Sequence, residues 1–287
     1  MHTCKNNLRI PPWLRVKLPD NKNFASTGEL LKDLDLNTVC QNAKCPNIFE
    51  CFSKKIATFL ILGQNCSRNC AFCNINSGSP EPVDKSEPKR VAQAAERLEL
   101  RHAVITSVTR DDLADGGADH FALTIKEIRS INGQTSIEVL IPDFKGDEQA
   151  LETVMNEHPE VLNHNVETAP ELYPEIRPQA DYKQSLKVLK RAKELNPEGK
   201  TKSGFMVGLG ETDEQVKQIL RDLYRTGCDI VTIGQYMRPS RHHPPVKRYV
   251  HPETFKKYQK IGEKIGIPHV FSAPLVRSSY DAARFVD

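Results

Sequence analysis

From residue 57 onward the chain repeats one unit, a short apolar run rich in β-branched residues followed by a segment with helical spacing. The runs are ATFLIL (57–62), HAVITSV (102–108), SIEVLIP (136–142), VLNHNVE (161–167), KSGFMVGL (202–209) and DIVTIGQY (229–236). A weaker seventh, PHVFSAPL, falls at 268–275. The helical segments lie near 87–99, 117–131, 147–157, 181–195, 212–226 and 252–265. In 181–195, Leu186, Leu189 and Leu195 mark one face and lysines the other. Thr212 with Gln215 reads as a capping box, and Gly227 and Gly266 sit where helices should stop. Strand–helix alternation predicts a parallel α/β sheet, since parallel strands need long crossovers. The strands read as continuous apolar stretches, as they do when both faces are covered. A barrel, a partial barrel and an open doubly wound sheet all satisfy this pattern, and periodicity alone does not choose among them.

Residues 1–56 break the repeat. They are punctuated by proline and hold one helical stretch, Thr27–Leu36. The expected organisation is an extension over 1–56, an α/β body over 57–270 and a C-terminal segment over 271–287. The N-terminus has no apolar signal core, and no run approaches the roughly 18 apolar residues of a membrane helix. The expectation is therefore a cytoplasmic protein with neither membrane nor nucleic acid as a partner. The formal charge of +3 is too small to argue for nucleic acid, but it is unevenly spread. Residues 1–56 carry nine Lys/Arg against five Asp/Glu, and residues 234–260 carry seven against Glu253 alone. Such surface can steer an acidic partner.

Six of the eight cysteines fall within positions 40–73. In a long chain with no secretion signal, metal binding explains them better than disulfides. Cys228 reads as a small buried hydrophobe, and Cys4 gets no role. Cys66, Cys70 and Cys73, in CSRNCAFC, follow the first strand with C-x3-C-x2-C spacing. Three thiolates can hold three irons of a cubane cluster from one tight loop. A structural zinc site needs four ligands, usually from C-x2-C pairs. Three cysteines leave one iron open, which is what a metal needs to engage a substrate.

This loop, after the first strand of an α/β repeat and with Phe72 before the last cysteine, resembles the radical S-adenosylmethionine (SAM) superfamily. The resemblance implies a full or partial (β/α) barrel, and six units suit the partial (β/α)6 form. It also implies that SAM chelates the open iron and is cleaved reductively. The second triplet, Cys40, Cys45 and Cys51 in CQNAKCPNIFEC, has C-x4-C-x5-C spacing. It cannot serve the same cluster, which already has three ligands, and reads as the seat of an auxiliary cluster. The two triplets together resemble the lipoyl synthase family. So do AKCPNIFEC, ATFLILG, CAFCNINSG, VITSVTRDDLADGGADHF, IEVLIPDFKG, NHNVET, YKQSL, TKSGFMVGLGE, TIGQYMRPS and APLVRSSY, which cover almost the whole chain. One departure is Phe52, where the family usually has Trp after the third auxiliary cysteine.

That family resemblance implies a sulfurtransferase with two 4Fe-4S clusters, which inserts sulfur at C6 and C8 of a protein-bound octanoyl-lysine. The auxiliary cluster would donate the sulfur, with Ser278 of R-S-S-Y as its weak fourth ligand. The implied partners are an octanoylated lipoyl carrier domain (an E2 subunit or the glycine-cleavage H protein), an electron donor such as flavodoxin or ferredoxin, and an iron–sulfur cluster carrier. In barrel enzymes the chemistry sits at the C-terminal strand ends. This rule directs Thr106 and Ser107, Asn163 to Glu167, Lys202 and Ser203, and Gly208 to Glu211 at the site. Glu167 suits the SAM ribose diol, Lys202 the SAM carboxylate and Ser107 its amino group. His242 and His243 are expected in a surface loop that contacts the carrier, with Arg238, Arg241, Lys247 and Arg248 helping to dock it. GLGE is too weak a signal for a phosphate loop. The rival readings are a methylthiotransferase-like enzyme and a non-catalytic iron–sulfur or zinc scaffold.

Overall fold

Seven parallel strands follow one another across a single sheet in chain order, and that order selects the architecture. The computed structural model describes residues 9–16, 22–54, 56–280 and 282–285. The strands are β1 (Thr58–Ile61), β2 (His102–Ser107), β3 (Ser136–Leu140), β4 (Val161–Asn163), β5 (Lys200–Val207), β6 (Ile230–Gln235) and β7 (His269–Ser272). A doubly wound sheet would reverse its strand order at a switch point. Here the order never reverses, so the sheet winds one way as a partial barrel. The weak seventh run is a true strand, paired in parallel with β6 from His269↔Ile230 to Ser272↔Ile233. The sheet thus has one more parallel strand than the expected six units. At the other edge, the two-residue strand Asn37–Thr38 pairs antiparallel with β1.

The helices are α1 (Lys22–Asp33), α2 (Val39–Asn42), α3 (Ile48–Ser53), α4 (Glu87–Arg97), α5 (Ala118–Ile131), α6 (Glu148–Met155), α7 (Tyr173–Ile176), α8 (Tyr182–Leu195), α9 (Asp213–Arg225) and α10 (Pro252–Ile265). α9 shows why the pattern was readable. Val216, Ile219, Leu220 and Leu223 recur at helical spacing and are fully buried. Each contributes about 1.5–3 kcal/mol of transfer free energy. Thr212 and Gln215 form the capping box, with the Gln215 side chain accepting from the Thr212 N–H at 2.8 Å. Gly266 ends α10 in the left-handed conformation at φ 112°. Cys228 is buried, and Cys4 lies outside the described residues.

The extension is more structured than its sequence suggested. Its first helix starts at Lys22 and ends at Asp33, and α2 and α3 add two short turns that carry Cys40 and Cys51. Phe52, the departure noted above, is fully buried, with its ring 5.8 Å from that of Phe24. The Thr27 hydroxyl donates to the Phe52 carbonyl at 2.9 Å, tying α1 to α3.

Inside the sheet lies a buried polar group. Lys202 on β5 and Glu138 on β3 are fully inaccessible, with Nζ 2.9 and 3.0 Å from the two carboxylate oxygens. Asn163 on β4 donates to the same carboxylate at 2.8 Å. This corrects the reading of Lys202 as a partner for the SAM carboxylate. It is the third residue of β5, well short of that strand's C-terminal end. Its ammonium neutralises Glu138, whose own charge could not be buried alone without a cost of several kcal/mol.

Candidate metal centres

The first triplet sits in the loop after β1, where the backbone turns sharply. Leu62 adopts a left-handed conformation at φ 69°, followed by Gly63 at φ 97°. A leucine in that region is strained, and strain of this kind persists only where neighbours enforce it. Here the Leu62 N–H donates to Glu87 at 2.8 Å and its carbonyl accepts from Arg110 at 3.1 Å. The chain then forms a two-residue parallel ladder, Asn65↔Asn76 and Cys66↔Ser77, which closes the cysteine loop at its base. Within the loop, Arg68 is buried and bound on two sides. It donates to Asp111 at 2.7 and 2.9 Å and to Asp143 at 2.7 and 3.0 Å. The Arg68 guanidinium holds the Asp143 carboxyl down at about 2 despite burial. The loop is therefore pinned to the ends of β2 and β3 by a fork geometry that only arginine can supply.

Backbone amides point at the sulfurs. The N–H groups of Arg68 and Thr109 lie 3.4 and 3.3 Å from Cys66 Sγ, and that of Ile75 lies 3.5 Å from Cys73 Sγ. Burial, with smaller contributions from Cys70 and Cys66, pushes the Cys73 thiol up to about 12. A nucleophilic cysteine needs the opposite, a depressed value in electropositive surroundings. A metal removes the proton outright, so the thiols fit ligands better than nucleophiles. Among the described residues, no three His, Cys, Asp or Glu side chains are grouped as a single metal ion would require. The donor set, three thiols on one loop with amides aimed at the sulfurs, fits an iron–sulfur cluster.

Beside this loop the strand ends carry a set of unspent polar atoms. Ser107 Oγ, Asn163 Oδ1, His164 Nε2, Thr168 Oγ1 and Arg177 Nε are buried with no hydrogen-bond partner among the described residues. Native proteins rarely leave such atoms orphaned. Ser107 ends β2, Asn163 ends β4 and His164 follows it, and Arg177 lies beside Cys70, so this subset fits a polar ligand with both donors and acceptors. Ser107 is thus placed where a ligand could use it. His164 donates from Nδ1 to the Ile141 carbonyl at 2.9 Å, and burial holds its ring neutral, down at about 4. Its bare Nε2 is then an acceptor.

Glu167 stands in the same place with left-handed backbone at φ 65°. Its N–H donates to the Gly204 carbonyl at 3.0 Å and its own carbonyl accepts from Met206 at 2.8 Å, so β5 enforces the strain. Asn165 donates to its carboxylate at 3.0 Å. Burial raises the Glu167 carboxyl, while nearby Arg177 opposes the shift. Arg177 is a residue the sequence did not flag. Its Nη1 donates to the carbonyl of Asn165 at 3.1 Å and to the Tyr173 hydroxyl at 3.1 Å. It lies beside both Cys70 and Glu167. The only local signal was a cation beside Ile176 in the Pro-flanked stretch LYPEIRP. Phe72, next to the third cysteine in the chain, packs against the apolar cluster of Ile176, Leu209 and Tyr236. The amides of GLGE are already filled: the Glu211 carboxylate accepts from Gly208, Leu209 and Gly210 at 2.6, 2.9 and 3.1 Å. No phosphate is needed to explain that loop.

The second triplet lies against the first. The Asn74 side chain, one residue past Cys73, donates to the Asn42 carbonyl between Cys40 and Cys45 at 2.8 Å. Thr38 caps α2, which presents Cys40, and Asn47 precedes α3, which presents Cys51. Burial raises the Cys40 thiol to about 11 and the Cys51 thiol to about 12, and each feels the charge of Cys45. The C-terminal segment reaches this loop. Asn47 donates to the Leu275 carbonyl at 2.8 Å, Tyr280 donates to Glu50 at 3.0 Å, and Arg277 lies beside Cys45. The Ser278 hydroxyl is held at the end of β4, accepting from Asn163 at 2.7 Å and donating to Asn165 at 2.9 Å. The structure therefore brings the R-S-S-Y segment to the auxiliary triplet and gives the serine itself two asparagine partners.

Two thiol triplets at the mouth of a singly wound parallel barrel define a class, and the comparisons agree with it. The model of the radical SAM superfamily matches residues 60–223, and that of the N-terminal domain of lipoyl synthase matches residues 2–45. The crystal structure of methylornithine synthase is similar over 92% of this chain and 85% of that one, with TM-score 0.53 and 14% identity. That of HydG, a maturase of the FeFe-hydrogenase, is similar over 87% and 63%, with TM-score 0.59 and 15% identity. At such identities the likeness shows the fold alone. Sequence relatives are far nearer. Lipoyl synthase of Oleidesulfovibrio alaskensis is 62% identical over 97% of this chain and 95% of its own length. That of Alkaliphilus metalliredigens is 55% identical over 98% and 97%. The chain belongs to the radical SAM superfamily and, within it, to the lipoyl synthase family.

Proposed function

We propose that this protein inserts two sulfur atoms at C6 and C8 of an octanoyl chain carried on a lysine of a lipoyl carrier domain. The observation that carries the reading is the pair of thiol triplets on two loops tied by Asn74 and Asn42. Its cofactors are SAM and two 4Fe-4S clusters, one supplying the radical chemistry that unactivated carbons demand and the other the sulfur.

Cys66, Cys70 and Cys73 would hold the radical cluster, and Cys40, Cys45 and Cys51 with Ser278 the auxiliary one. Ser107, Glu167 and the orphaned atoms around them would bind SAM, with Phe72 next to the third cysteine. Arg177, beside Cys70 and Glu167, replaces Lys202 as the cation facing the SAM carboxylate. The division into a cluster-bearing extension (1–56), a radical SAM barrel (57–270) and a closing C-terminal segment (271–287) is supported by the Asn47–Leu275 and Tyr280–Glu50 contacts.

The carrier domain would dock on the basic segment after β6. Of the four cations expected there, Arg248 is paired with Asp213 and Arg238 braces its own loop. Arg241 and Lys247 are exposed and carry that role. A reducing cytoplasm, a flavodoxin or ferredoxin as electron donor and a cluster carrier complete the setting, because such clusters need low potential and renewal. Among the described residues, no helix is long and apolar enough to cross a membrane.

The test is anaerobic reconstitution with an octanoyl-lysine peptide, read by mass spectrometry. A Cys40→Ala variant should still cleave SAM yet insert no sulfur. Normal lipoyl product from that variant would overturn the role given to the second triplet.

A further inference from the structure

His243 does not behave as a residue of a solvated docking loop. Its ring is half-buried, and its Nε2 lies 2.9 Å from the backbone carbonyl of Cys73, 170 residues earlier in the chain. Its Nδ1 lies 2.9 Å from the Ser240 hydroxyl. A carbonyl only accepts, so Nε2 must carry a proton and donate to Cys73.

The turn that presents this ring is heavily braced. The His243 N–H donates to the Ser240 carbonyl at 3.2 Å, and Ser240 Oγ accepts from the His242 N–H at 3.3 Å. Arg238 donates to the carbonyls of His243 and Arg241 at 2.7 and 2.6 Å. Tyr236 donates to the Pro244 carbonyl at 2.9 Å. Val246 of the same segment and Phe72, the residue before Cys73, pack against one apolar cluster that includes Tyr236. A surface loop that only waits for a partner has no use for so many internal bonds. A rigid support that must deliver one N–H to one carbonyl does.

The position in the fold adds the reason. β1 and β6 lie well apart in the sheet, so no ladder connects the cysteine loop after β1 to the segment after β6. Arg68 ties the early part of the cysteine loop to β2 and β3. The Ala71 N–H reaches the Ile176 carbonyl at 2.9 Å in the middle. At the last cysteine, the His243 bond reaches back from the far side of the sheet.

We infer that His243 is a positioning residue for the radical cluster, fixing the peptide of Cys73 so that the third thiol faces the other two. It touches neither cluster nor substrate and acts through that peptide. The inference rests on Cys66, Cys70 and Cys73 being the radical-cluster ligands.

The experiment uses the full chain with Cys40, Cys45 and Cys51 all changed to Ala, so that only one cluster is loaded. Iron release to a chelator and the electron paramagnetic resonance spectrum of the reduced cluster are read without SAM turnover. His243→Gln keeps a donor near the Nε2 position, whereas His243→Asn keeps one only near Nδ1. His243→Asn should lose iron roughly tenfold faster, the size expected from one hydrogen bond lost at a partly buried acceptor, and should shift the spectrum. His243→Gln should stay within about twofold of the parent, the spread expected when the hydrogen bond is kept. Equal release from the two variants, or a spectrum unchanged in His243→Asn, would overturn the inference. Failure of the parent itself to bind about four irons, the content of one 4Fe-4S cluster, would instead remove the ligand assignment on which it rests.

Discussion

The two cysteine loops lie side by side but are held differently. The loop of Cys66, Cys70 and Cys73 is pinned by ion pairs and backbone ladders to the barrel. Arg68 alone makes four charged hydrogen bonds there. The loop of Cys40, Cys45 and Cys51 rests on two short helices, a two-residue ladder to β1 and neutral hydrogen bonds, Asn74 to Asn42, Asn47 to Leu275 and Thr27 to Phe52. Its charged outer contact, Tyr280 to Glu50, is partly open to solvent. The difference matches the proposed chemistry. A cluster that must survive each turnover calls for a rigid seat, and one consumed and renewed calls for a seat that can open at modest cost.

The sharpest way to break this comparison is Arg68→Ala. It leaves Asp143 buried without its partner, and loss of one member of a buried ion pair costs about 3–5 kcal/mol. Urea unfolding of the cluster-free chain should show a loss of that size. An effect under about 1 kcal/mol would mean the ion pairs are not what holds the first loop.

Gly234→Ala separates the loops from the other side. Gly234 lies in β6, where an added Cβ would collide with the Val276 carbonyl and then crowd Arg277 at 3.2 Å. The C-terminal segment must shift, and Ser278 with it. Iron content after reconstitution should fall by about half, the share of one of two 4Fe-4S clusters, while SAM cleavage persists. Equal loss from both sites would show that the segment supports the whole mouth and not the auxiliary loop alone.

Asn47→Ala should be the mildest. It removes one neutral hydrogen bond to the Leu275 carbonyl, worth about 1 kcal/mol. Unfolding should move by that amount, and chelator-driven iron loss should quicken from the auxiliary site only. A drop as large as that of Arg68→Ala would erase the contrast between the two loops.

Much of this was legible in the linear sequence because it depends on local spacing. The six helices of the barrel start and stop within a few residues of their periodic segments, as the capping box at Thr212 and the stop at Gly266 illustrate. The cysteine spacings pointed to two centres, since ligands from one loop must be close in the chain. Lys202 misled for an equally plain reason. Its strand begins two residues earlier than the apolar run, so it sits deep in the sheet and meets Glu138 from β3, a partner 64 residues away. Arg177 was missed because a cation after a short helix looks like surface until the fold turns it toward Cys70.

What the residues alone determined is therefore the periodic body and the two cysteine spacings, both properties of near neighbours along the chain. What only the tertiary structure decided is how the loops are held: Arg68 by two carboxylates, Ser278 by two asparagines and Cys73 by His243. Those bonds join strand ends far apart in sequence, and a charge or hydroxyl shows its partner only when folding has removed it from water.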